Sequence, residues 1–127
     1  MMTHQQWLSC ILTSAQHVAS REYQERTWLG RGGNEISSPE EVYCQLIEDC
    51  TFDLFFETYS KDFTEDQLRS WAAFKSVLER YWERMPQFPD PRKVLADPEW
   101  HEVREAAAQF VTAFEQKRPE PSLAGQQ

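Results

Sequence analysis

Apolar side chains recur at three- and four-residue intervals along most of the chain. Trp7, Leu8, Ile11, Leu12, Ala15, Val18 and Ala19 share one helical face. Val42, Tyr43, Leu46 and Ile47 repeat the pattern, and Trp100, Val103, Ala107, Phe110 and Phe114 give it again near the end. Between them lie a short aromatic piece, Phe52, Leu54, Phe55, Phe56 and Tyr59, and a broad stripe, Leu68, Trp71, Ala72, Leu78, Tyr81, Trp82 and Met85. No run alternates cleanly enough for a strand. The pattern predicts an all-α, single-domain bundle over residues 1–116, with four long helices and one or two short ones.

Capping residues mark where these helices begin. Ser38-Pro39-Glu40-Glu41 and Thr64-Glu65-Asp66-Gln67 read as capping boxes, in which a hydroxyl accepts a free backbone N–H and the residue three positions on reaches back. Asp97-Pro98 is a further start, Asp90-Pro91 a weaker copy, and Thr51 is a cap for the aromatic piece. Pro86 ends the broad stripe, because proline disfavours helix in the residue before it. Gly30-Arg31-Gly32-Gly33-Asn34 is a loop. The polar, proline-containing stretch 117–127 has no apolar face to dock and reads as a flexible tail.

Charge changes the picture more than composition does. The 127 residues carry a net charge of −8, yet the segment 35–66 alone holds ten acidic residues against Lys61. The rest of the chain is close to neutral. An acidic protein is a poor partner for nucleic acid or anionic membranes and a good one for a basic protein. Capping and the helix dipole account for Glu40, Glu41 and Glu65. The others sit at spacings where like charges repel, as Asp53 and Glu57 do across one turn. Elsewhere Glu65 with Arg69 and Lys75 with Glu79 have the spacing of ion pairs. The field is assigned to Glu40, Glu41, Glu48, Asp49, Asp53 and Glu57, with Tyr43, Phe56 and Tyr59 as aromatic anchors, since the run 52–63 holds more rings than one narrow face buries.

No catalytic or metal constellation emerges. His4, His17 and His101 lie in no HExxH, and no Glu-x-x-His pair suits a di-metal bundle. The expectation is a non-enzyme without cofactor or metal. The glycine loop lacks the Lys-Ser/Thr ending of a phosphate loop. Cys10, Cys44 and Cys50 have the wrong spacing for zinc, and an odd number argues against a closed disulfide framework. Cys44 reads as a small core residue. Without a secretory leader or an apolar span of about 18 residues, the chain is expected in a reducing cytoplasm, as monomer or homodimer.

Several runs together resemble one family: Tyr23-Gln24-Glu25-Arg26-Thr27-Trp28, the glycine loop, Ile36-Ser37-Ser38-Pro39-Glu40-Glu41, and Leu95-Ala96-Asp97-Pro98-Glu99-Trp100. From Val18 to Phe114 the chain is similar to small bacterial immunity proteins, the cytoplasmic partners of polymorphic toxins, including those of contact-dependent growth inhibition. The resemblance implies a non-catalytic protein that binds a cognate toxin domain and blocks its active site or substrate access. It supplies no contact residues, because such families diverge at the binding surface. The alternative is an adaptor or regulatory module using the same face.

Overall fold

Thr3 opens the first helix with a capping box that the periodicity alone does not reveal. Its hydroxyl accepts the Gln6 N–H at 3.1 Å while its own N–H donates to Gln6 Oε1 at 2.9 Å. Helix α1 (His4–Ala19) ends at Ser20, which immediately caps α2 (Arg21–Trp28) by accepting the Tyr23 N–H at 3.0 Å. The computed structural model describes residues 3–31, 33–85 and 89–116; the expected tail therefore lies outside the described residues. Gly30 and Gly33 take φ of +74° and +67°, a region that favours glycine, and carry the loop to α3 (Pro39–Cys44).

Ser38 caps α3 by accepting the Glu41 N–H at 3.0 Å, but the Glu41 carboxylate does not return the bond. The chain then widens into a π-helical turn, Gln45–Asp49, closed by Cys50 N–H donating to the Gln45 carbonyl at 3.0 Å. Thr51 follows in the left-handed region at φ +45°. Its hydroxyl donates to the Cys50 carbonyl at 2.8 Å, so it does not cap α4 (Phe52–Tyr59) as expected. A 3-10 turn, Ser60–Asp62, leads to Thr64, whose full capping box opens α5 (Glu65–Arg84). Asp90 caps α6 (Pro91–Ala96), and Asp97 Oδ1 accepts the Glu99 N–H at 2.9 Å at the start of α7 (Pro98–Gln116).

The architecture is all-α. The helix count departs from the expected four long helices: among the described residues α1, α5 and α7 are long, with 16, 20 and 19 residues. The other segments stay short because Ser20, the π turn and Thr51 divide them.

Helix α7 lies between α1 and α5 and packs against both. Its inner side is Trp100, Val103, Ala107, Phe110 and Phe114, all essentially buried. The short helix α4 is covered on several sides, which overturns the expectation of exposed rings there. Phe52, Phe55 and Phe56 are fully buried. Phe52 meets Phe74 of α5 and Phe110 of α7. Phe55 meets Trp7 of α1 at 5.2 Å, and Phe56 stacks on Trp71 at 4.5 Å while touching Phe110 and Phe114. At roughly 1.5–3 kcal/mol per fully buried ring, this cluster is a main source of stability. Gln24 is also fully buried, and it is satisfied: its Nε2 donates to the carbonyls of His17 and Val18, and its Oε1 accepts from Trp100 Nε1 at 3.0 Å. That network ties α1, α2 and α7 at one joint.

The cysteines correct a second expectation. Cys10 of α1 and Cys50 form a disulfide. Their separation of 40 residues gave no local motif; they meet because α1 packs on the π turn. Cys44 is the free thiol and is only half-buried. Among the described residues no helix is long and apolar enough to cross a membrane.

Candidate functional site

Four of the nominated carboxylates converge. Glu48, Asp49, Glu40 and Glu41 all act on the Cys44 thiol, whose pKa is raised first by burial and then by these charges. Glu40 and Glu41 lie in the first turn of α3, while Glu48 and Asp49 lie in the π turn that continues it. Both pairs lie within five residues of Cys44 along the chain. Among the described residues none of the four forms an ion pair, and neither does Glu57.

The next residue along, Tyr43, connects this group to two further helices. Its ring lies flat on Trp82 of α5, with centroids 3.9 Å apart. Burial raises its hydroxyl pKa, and so do Glu79, Asp53 and Glu48, in that order after the burial effect. Carboxylates from α5, α4 and the π turn thus all act on one half-buried hydroxyl. Carboxylates therefore bear on both Tyr43 and Cys44, with no grouping of three or more His, Cys, Asp or Glu among the described residues that would hold a metal ion. Spread carboxylates of this kind produce a field and do not chelate.

Other nominated residues separate from it. Asp53 Oδ1 sits 3.2 Å from Lys75 Nζ, an ion pair not aligned as a hydrogen bond, and is partly neutralised. Lys75 therefore does not pair with Glu79 as its spacing suggested, and Glu79 is left facing Tyr43. Arg69 likewise meets Asp66, not Glu65. Glu35 is paired with Arg26. Phe56 is fully buried and no anchor. Tyr59 packs inward against His4 at 4.2 Å and against Trp7 and Phe55; it follows Glu57 by two residues and so lies on a different side of α4.

The large apolar side chains left exposed are not among the nominated anchors. Leu54, beside Asp53, is 53% exposed, and Ile36 in the loop before α3 is 76% exposed. A shallow open depression of about 320 Å³ runs along α5 past Trp71, Lys75, Glu79 and Arg80. Glu79 and Trp82 were missed because their spacing placed them in an ion pair and in the core stripe. No family model, curated protein or solved structure matches the chain.

Proposed function

We propose that this chain is a non-catalytic binding protein that neutralises a cytoplasm-acting bacterial toxin domain by covering its basic active site. The observation that carries the reading is the set of carboxylates around Cys44, Glu40, Glu41, Glu48 and Asp49, none of which forms an ion pair among the described residues. Tyr43, next to Cys44 and stacked on Trp82, offers half-buried aromatic area beside that charge. A basic toxin domain, of the kind that engages phosphate, would be steered onto this face and lose access to its substrate. Glu57 extends the field along α4, where Asp53, paired with Lys75, adds less. Phe56, fully buried, leaves the interface, while Tyr59 is half-buried against His4, Trp7 and Phe55.

The cytoplasmic placement has to accommodate the Cys10–Cys50 bond. Disulfides in that compartment are rare and mostly redox-responsive. Co-expression with the toxin domain encoded beside this gene tests the function. The parent chain should protect the cell, and Glu48→Ala with Asp49→Ala and Asp53→Ala should lose protection. Equal protection by parent and variant would contradict the acidic-face mechanism, and the absence of any toxin gene nearby would favour the adaptor reading.

A further inference from the structure

The turn that carries Glu48 and Asp49 is held in place by α1, and the hold is concentrated at one residue. Cys50 is fully buried and closes the π turn through its N–H. Its carbonyl accepts from Trp7 Nε1 at 2.6 Å and from Thr51 Oγ1 at 2.8 Å. Its sulfur is bonded to Cys10 and lies 3.3 Å from Ser14 Oγ. Immediately after it Thr51 is in the left-handed region, an arrangement costing about 1–3 kcal/mol for a residue with a Cβ and kept only where the surroundings enforce it. The π turn itself is an uncommon element that often occurs at functional sites. Two unfavourable backbone features thus flank the disulfide on the acid-bearing segment.

We propose that Cys10–Cys50 is a redox latch on the acidic face: the disulfide fixes the π turn in its docking geometry, and reduction by a dithiol releases it and weakens docking. This rests on the acidic-face reading above and adds its regulation. The chemistry follows from exposure. Cys10 is half-buried and Cys50 fully so, which directs an attacking thiolate to the Cys10 sulfur. The Cys10–Cys50 bond breaks, a mixed disulfide forms on Cys10, and the electron pair leaves on Cys50, which takes up a proton. Ser14 Oγ–H is placed to donate to the departing thiolate. The reductant's second thiol then displaces Cys10 as a thiol. Two electrons and two protons pass to the protein, and the dithiol becomes a disulfide. Cys44 competes poorly as an internal attacking thiol, since burial and its four carboxylate neighbours disfavour its thiolate.

The test uses the full chain, oxidised and after dithiothreitol, with two readouts: amide hydrogen exchange and binding of a dodecalysine peptide. Reduction should accelerate exchange over residues 45–51 by roughly tenfold while leaving α7 protected, and should raise the peptide Kd by roughly threefold. Cys10→Ala should match the reduced protein and ignore dithiothreitol. Equal exchange in both forms, a loosened turn with unchanged affinity, or loss of protection in α7 as well would overturn the latch. A second arm separates the two claims. If E40Q/E41Q/E48Q/D49N binds the peptide as the oxidised parent does, the acidic-face reading fails, whatever the exchange data show.

Discussion

Tyr43 lies flat against Trp82, with the two rings within 1° of parallel and their centroids 3.9 Å apart. The contact joins α3, which carries the first acidic pair, to α5, which carries Glu79. It fixes how the charged face is assembled from separate helices. Trp82→Ala should cost about 2 kcal/mol in denaturant unfolding, since the ring is half-buried and stacked. Trp82→Phe, which keeps a stacking surface, should cost less than half as much.

Cys44 reports on the field around it. Burial comes first and Glu48, Asp49, Glu40 and Glu41 follow as causes of its raised pKa. At pH 8 its alkylation by iodoacetamide should be slower than that of a free thiol. E40Q/E41Q/E48Q/D49N should speed alkylation several-fold, and added salt should speed it in the parent but not in the variant. Identical rates in parent and variant would mean that these carboxylates do not converge.

Tyr81 donates a hydrogen bond to Asp97 Oδ2 at 2.9 Å, while Asp97 Oδ1 caps α7. Tyr81→Phe should cost about 1–2 kcal/mol at neutral pH. Burial first, then the bond to Asp97, push the Tyr81 hydroxyl well above the ordinary tyrosine range. A group whose folded pKa is raised gives its full stabilisation below the unfolded value, about 10 for tyrosine, and loses it as pH rises beyond that. The stability gap between parent and Tyr81→Phe should therefore be constant below about pH 9 and shrink above about pH 10.

How much was legible in the sequence divides along a physical line. Ser38, Thr64, Asp90 and Asp97 announced helix starts because capping is local chemistry. The all-α class followed from periodicity for the same reason. Ser20, the π turn and the left-handed Thr51 carried no strong local signal, so the count of long helices came out differently. Charge and helical spacing nominated Glu40, Glu41, Glu48 and Asp49, all of which bear on Cys44. The neutralisation of Asp53 by Lys75 and the burial of Phe56 depend on how α4 packs against α5 and α7, and no spacing rule encodes that. The Cys10–Cys50 bond was missed because an odd count argues against a complete framework and says nothing against a single bridge.

Arg104 is a buried cation on α7, 6% exposed, with Nη1 lacking a hydrogen-bond partner among the described residues and Nη2 3.2 Å from His101 Nδ1. Burial first, and then Arg21, lower its pKa. A charge taken from water with so few partners contributes little net stability. Arg104→Met, which keeps much of the packing volume, should leave the unfolding free energy unchanged or raise it by about 1 kcal/mol. A loss of several kcal/mol would reveal partners that the geometry lacks.

Association kinetics with the proposed toxin partner test the central claim most directly. If Glu40, Glu41, Glu48 and Asp49 steer the partner, E40Q/E41Q/E48Q/D49N should slow the on-rate by roughly tenfold at low salt, and the gap should close as ionic strength rises. An on-rate that is the same for parent and variant at low salt, and insensitive to salt in both, would contradict docking through this face.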